Sequence, residues 1–146
     1  AIPGAIPPLG GWAAAAGIIQ PEAWILFTIL FLWQHPHFYA IALMYKEDYK
    51  KANMQMLPTV ESNGNRTNRQ IFWHSFLLIP VSLMLNYNGI LGDFYFWGAL
   101  SFGVLYLISG IPLMRNYSFD NARILLKMSL FYLPLLFLTI IIDQLL

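Results

Sequence analysis

Two stretches of the sequence hold residues that could do chemistry. His35 and His37 flank Pro36 inside the apolar segment WQHPHF, and a burst of charge follows in KEDYKKA, from Lys46 to Ala52. An imidazole can ligate a metal, accept a proton or hold an anion. Two positions apart on a helix, His35 and His37 point about 200° away from each other. They cannot share one metal ion, and the HExxH zinc spacing is absent. His37 shares a face with Trp33, Ile41 and Asp48. If the helix continues, Asp48 lies ~16 Å beyond His37 along the axis. That face would carry an imidazole at depth and a carboxylate near its mouth. An ionisable group inside a membrane span faces the protein interior or an aqueous cavity, and is a functional candidate for that reason.

The elements that position these groups follow from composition. The chain has 146 residues, 58% hydrophobic and 10% charged, with a mean hydropathy of +0.58. A soluble domain carries nearer a quarter charged residues, so the chain reads as an integral membrane protein in a lipid bilayer. A net charge of +1 with no polybasic tail offers nothing to nucleic acid. The absence of cysteine excludes disulfides, iron–sulfur clusters and thiolate zinc sites.

Four apolar runs suit helices that span a bilayer, at about 20 residues each. They are residues 22–45, 71–91, 94–114 and 124–146. Residues 1–17 read as the end of a fifth, in a single all-α domain over 1–146. The chain starts on Ala1 inside apolar sequence and without a signal-peptide pattern. It is therefore expected to be a piece of a longer protein. The Pro/Gly-rich opening AIPGAIPPLGG predicts irregular backbone that lines a cavity. Lys46, Lys50, Lys51, Arg66 and Arg69 fall in the first loop; Arg115, Arg123 and Lys127 fall in or beside the third. The turn near Asn88 has none. Alternating spans put all these cations on one side, as the positive-inside rule expects.

Ordinary explanations exist for each candidate. His35 reads as a structural hydrogen-bonder or interface residue and His74 as interfacial, whereas His37 is the functional candidate. Glu47 and Lys51 form a helix-stabilising i,i+4 pair, and KEDYKK could be a solvated helix end. The loop Lys46–Gln70 argues otherwise. It mixes charges of both signs with the apolar island MQMLP, Met54–Pro58. Long loops of that kind are often functional. Carboxylates with Mg²⁺, joined by Lys and Arg, suit a diphosphate. An acidic and basic mouth over an aromatic-rich membrane cavity suits a diphosphate on a lipid tail.

AIPGAIPPLGGW, WQHPHF and KEDYKKANMQMLP, in this order and spacing, resemble the C-terminal half of the protohaem IX farnesyltransferases, or haem O synthases, of the UbiA superfamily. The resemblance covers nearly the whole chain, with its specific motifs in residues 1–60. It implies a polytopic all-α bundle around a central cavity. It also implies transfer of a farnesyl group from farnesyl diphosphate to a vinyl group of haem B, a substrate here, giving haem O. Mg²⁺ and basic side chains would stabilise the leaving diphosphate. The superfamily's first aspartate motif is not in these residues. At the second, Tyr45 and Tyr49 stand where aspartates are usual, leaving Glu47 and Asp48 as the nearby carboxylates. The resemblance makes Asp48, with or without Glu47, the Mg²⁺ contact. It makes Lys46, Lys50 and Lys51 diphosphate ligands, followed by Arg66 and Arg69, and assigns Trp33, Tyr45 and Tyr49 to the haem region. His37 matches the family's histidine, as an axial ligand, a propionate contact or a proton carrier. The enzyme would sit in a bacterial cytoplasmic or mitochondrial inner membrane with its basic loops on the cytoplasmic or matrix side. Haem A synthase or terminal oxidase assembly factors are the implied partners. Half of such an enzyme should not be active alone.

Three other readings compete. A quinone-precursor or chlorophyllide acceptor would not call for an intramembrane imidazole. A haem-carrying electron-transfer subunit needs two axial histidines, and His74 is the one partner on another span for His37. A transporter also uses broken helices and buried polar groups.

Overall fold

The computed structural model describes residues 1–146, all as helices and their connections. The long elements are α3 (Pro21–Met44), α6 (Asn65–Tyr87), α7 (Asp93–Arg115) and α8 (Phe119–Leu145). Before them come α1 (Ile2–Ala5) and α2 (Pro7–Ala16); between α3 and α6 lie α4 (Lys46–Lys51) and α5 (Leu57–Val60). α6 packs on α3 and α7, and α8 packs on α7 and α3, so the four long helices close a ring. The apolar composition of the sequence thus resolves into an all-α bundle. α3, α7 and α8 are long and apolar enough to cross a membrane. α6 is not among them. The run expected over 71–91 is instead a helix starting at Asn65 and ending at Tyr87, with Gln70, His74, Ser75, Ser82 and Asn86 along it.

The opening segment departs from the expected irregular backbone. Each proline falls where a helix tolerates it, at the first turn of α1 or α2, where an N–H has no intrahelical partner anyway. The two pieces are helical and pack on α3. Gly4 matters here for close approach: a Cβ at that position would meet the buried Gln34 Oε1 at 2.5 Å. Gln34 in turn donates from Nε2 to the carbonyl of Ala1.

Lipid is as apolar as leucine, so helices in a membrane associate through close packing and internal hydrogen bonds. Both devices are present. A Cβ on Gly98 would lie 2.9 Å from Thr139, and one on Gly103 would lie 2.9 Å from Ile79. These contacts bring α7 close to α8 and to α6. Tyr95, Tyr106 and Tyr132 are buried among the helices; Tyr95 donates to the Ser82 carbonyl at 2.9 Å, and Tyr106 stacks on Tyr132. At the end away from the basic loops, Asp143 of α8 accepts from the backbone N–H groups of Gly92 and Tyr95 at the start of α7.

At the other end the first and third loops meet. Gly64, the residue before α6, has φ +73°, and a Cβ there would lie 2.7 Å from the Tyr117 ring of the α7–α8 turn. Only glycine gives both the left-handed backbone and the space. Gly64→Ala is predicted to lower stability by about 2 kcal/mol, since backbone strain and a ring clash coincide. Gly89 has φ +74° but open space around its Cβ position. Gly89→Ala should cost about 1 kcal/mol, from backbone strain alone. Thermal unfolding of the two variants in detergent, compared with the parent, checks the difference.

Candidate functional site

α3 runs through Pro36 without a break. Proline lacks an N–H and crowds the preceding turn. The segment around it is tied instead to neighbouring helices. Trp33 Nε1 donates to the Ser129 carbonyl of α8 at 2.9 Å, and Tyr106 of α7 donates to the Trp33 carbonyl at 3.1 Å. The polar edge of Trp33, expected in the haem region, is therefore committed to packing. Its ring lies over that of His37, with centroids 4.7 Å apart and 20° between planes.

His37 has a defined orientation. Its Nδ1 is 2.7 Å from Ser129 Oγ, and that hydroxyl donates its single proton to the Leu126 carbonyl at 2.6 Å. Ser129 can then only accept from His37. The imidazole must carry its proton on Nδ1, which leaves the Nε2 lone pair free. This is the arrangement by which a ring nitrogen is prepared to bind a metal or take a proton. A neutral imidazole in this tautomer has no donor left for a propionate.

His35 is a structural hydrogen-bonder, as expected, and His74 packs beside it. They face each other across the α3–α6 seam with ring centroids 4.1 Å apart and 20° between planes. Their Nδ1 atoms lie 2.7 Å from the carbonyls of Phe31 and Gln70, one turn back on each helix. Iron held between two imidazoles needs a bond of about 2 Å on each side, which rings stacked face to face at this spacing do not leave. His74 thus pairs with His35, not His37, and a two-histidine haem between these spans is disfavoured by geometry.

The charged mouth is not a continuation of α3. The helix ends at Met44, and Tyr45, at φ −114° and ψ 33°, turns the chain into α4. His37 and Asp48 therefore do not share one helical face. Glu47 pairs with Lys50 at 3.3 Å, the one ion pair of the chain. Its partners are well exposed, so its contribution is small. Lys46 Nζ donates to the Glu61 carbonyl at 3.2 Å. Asp48, Lys51, Arg66 and Arg69 are exposed, as is Tyr45, while Tyr49 is half-buried. The island MQMLP leads into α5, which buries Pro58 and Thr59 against α3. Thr59 Oγ lies within hydrogen-bond distance of the Met54 and Met56 carbonyls and accepts from the Met56 N–H.

Glu61 carries a role that no motif or spacing in the sequence marks. Its carboxylate accepts from the backbone N–H groups of Arg66 and Thr67 and from the Thr67 hydroxyl, at 2.6 to 3.0 Å. It thereby caps α6 from outside the helix, where an anion complements the dipole. Loss of solvation raises its pKa, but the hydrogen bonds from Thr67 and Arg66 outweigh this and hold the carboxyl below the usual glutamate range. No three His, Asp or Glu side chains converge anywhere in the chain, so it does not by itself build a closed cation site. The surface clefts, up to about 560 Å³, are lined by other residues, toward the Asn88 end and the α2 face; none includes a residue from 33–70.

Two outcomes follow from this geometry. In ¹⁵N NMR, His37 should show the Nδ1–H tautomer, and Ser129→Ala should shift it toward a mixture. A folded pKa below the unfolded value means that Glu61 stabilises α6 fully above the ordinary glutamate range and loses this effect as pH falls through the folded value. Glu61→Ala should cost about 1 kcal/mol at neutral pH, and amide exchange at Arg66 and Thr67 should quicken.

The chain matches the UbiA prenyltransferase family over residues 1–138. It is 49% identical over 144 residues to a protein named protoheme IX farnesyltransferase from Solibacter usitatus, covering 99% of this chain and 49% of that protein. Proteins of the same name from Gloeobacter violaceus and Rippkaea orientalis are 46% and 44% identical, each over 97% of this chain and covering 46% and 44% of those proteins. The chain spans about half the length of the curated relatives it matches. No solved structure matches it significantly. With a membrane-type helical bundle and a family match over nearly its whole length, the chain belongs to the UbiA prenyltransferase family.

Proposed function

We propose that this chain forms half of a protohaem IX farnesyltransferase, which joins the farnesyl group of farnesyl diphosphate to a vinyl group of haem B to give haem O. The observation that carries the reading is likeness to relatives of that name along almost the whole chain. The free Nε2 of the half-buried His37, on the α3–α8 seam, fits it. The other superfamily acceptors give no use for such an imidazole.

In the reaction, the carbon–oxygen bond to the diphosphate breaks and the leaving group departs with the electron pair. The vinyl π electrons close a new carbon–carbon bond to the allylic cation. Positive charge then moves to the carbon next to the porphyrin ring. Water adds to this carbon as a hydroxyl group and releases one proton, which gives haem O. The role of His37 is to bind the porphyrin iron through Nε2 or to accept that proton. In either case Ser129 and Trp33 fix the ring, which limits reorganisation at the site.

The developing charge on the diphosphate is met by the rim. Lys51, Arg66 and Arg69 have no acidic partner and are the cations free to meet it. Lys46 and Lys50 act mainly to shape the loop, through Glu61 and Glu47. Asp48 is the free carboxylate beside them and would share a divalent cation such as Mg²⁺ with the diphosphate, directly or through water. Such a cation would neutralise the leaving group. Ligands from this chain alone do not complete its site. By the charge bias of the loops, the rim faces the cytoplasm or matrix.

The test uses the protein at its native full length, in membranes with haem B and farnesyl diphosphate, and detects haem O by mass. Asp48→Asn is expected to cut turnover by about a hundredfold, as the loss of a positioned charge does, without changing thermal stability. His37→Ala should impair haem use more than diphosphate binding, whereas His35→Ala should mainly lower stability. Wild-type turnover in Asp48→Asn would remove that residue from the site. Equal loss of both substrates in His37→Ala would make His37 a packing residue.

A further inference from the structure

The third loop and the start of α8 carry cations that the transfer reaction does not use. Arg115 closes α7, and Arg123 and Lys127 stand one turn apart on α8; all three are exposed. None has an acidic partner, since the chain's one ion pair lies in α4. Asp120 is the one carboxylate on this stretch, so three cations stand against one anion. The Arg123 guanidinium lies 4.9 Å above the centre of the Phe119 ring, which holds it at the helix start. The amide of Asn121 donates to the Pro112 and Asn116 carbonyls and fixes the end of α7 against the start of α8.

Along both helices the exposed face beyond these cations is apolar. On α7 it runs back from Arg115 through Ile111, Ile108 and Leu105; on α8 it runs on from Lys127 through Leu130, Phe131 and Leu138. Lys127 lies about 13 Å along α8 from its start, next to the exposed Leu130 and Phe131. A lysine so near a helix end lays its stem along the apolar surface and carries its ammonium out to the headgroup layer, where an anionic headgroup can meet it. No side chain of this protein gives it an anionic partner.

We propose that the basic end of the α7–α8 hairpin is a binding site for an anionic phospholipid. The phosphate would lie between Arg115, Arg123 and Lys127, and the acyl chains would run along the apolar faces of the two helices. The pattern couples charge complementarity to an apolar wall of the right direction. A polybasic segment beside a membrane span attracts anionic lipid by about 1 kcal/mol per cation. The site uses the third-loop side of the basic end, with no residue of 46–51 in it, and would anchor this end of the bundle at the anionic leaflet.

The test takes the full-length protein in nanodiscs of phosphatidylcholine with or without phosphatidylglycerol, then counts retained lipid by native mass spectrometry after transfer to detergent. Wild type should retain phosphatidylglycerol in preference to phosphatidylcholine, and inorganic phosphate should not displace it. R123Q/K127Q should lower that retention by about tenfold, whereas R123K/K127R should keep it. If the double glutamine variant fails to fold, K127Q alone is read by the same ratio. No preference in wild type, displacement by inorganic phosphate, or unchanged retention in the glutamine variants would each overturn the site. Such a result would mean that the rest of the polypeptide covers this face. Haem O formation, measured on the same samples, tests the enzyme assignment independently, because none of these cations is placed in its chemistry.

Discussion

In lipid, each polar group must find its partner inside the protein. That constraint organises this chain. Its most consequential solution is the relay from His37 Nδ1–H to Ser129 Oγ to the Leu126 carbonyl. One serine proton, already donated, decides which imidazole nitrogen carries hydrogen. Trp33 and Tyr106 likewise donate to backbone carbonyls across the bundle, and the Asp143 carboxylate accepts from backbone N–H groups at the start of α7. Packing and chemistry therefore meet at one place: the bonds that fasten α3 to α8 also leave Nε2 of His37 free.

The loops obey the same constraint at the basic end. Glu61 caps α6, Lys46 reaches back to the Glu61 carbonyl, and Tyr117 covers Gly64. These contacts fold a charged segment onto the bundle end without burying its free cations. In the proposed enzyme the diphosphate would meet the exposed cations and the exposed Asp48 carboxylate over this floor. The core below is apolar apart from a few buried hydroxyls, with Tyr95, Tyr106 and Tyr132 among its largest buried side chains.

Much of this was legible in the sequence. The apolar runs mark α3, α7 and α8, because length and hydropathy suffice for a span. One-sided placement of Lys and Arg anticipates loops that meet at one end. The motifs WQHPHF and KEDYKKANMQMLP carry the family resemblance. The rest depends on rotation and turn geometry that no periodicity encodes. KEDYKK continues a helical pattern, yet Tyr45 turns the chain and separates Asp48 from the face of His37. His35 and His74 meet only because two helices present those positions to one seam. α6 mixes apolar and polar residues, so its start at Asn65 is set by the Glu61 cap and not by hydropathy. Pro3, Pro7 and Pro8 suggested broken backbone, but their placement in first turns makes them helix starters.

The central claim is that the first and third loops form one rim, opposite the Asn88 turn. These 146 residues have no cysteine, so a single cysteine placed among them is this half's one thiol, and any thiol elsewhere in the full-length protein is first replaced by serine. Ser62→Cys, Asn116→Cys and Asn88→Cys in oriented membrane vesicles, treated with an impermeant thiol reagent, give the most direct test. The account predicts that positions 62 and 116 label from the same side and position 88 from the other. Labelling of 62 and 116 from opposite sides would contradict it, because no shared rim could then exist.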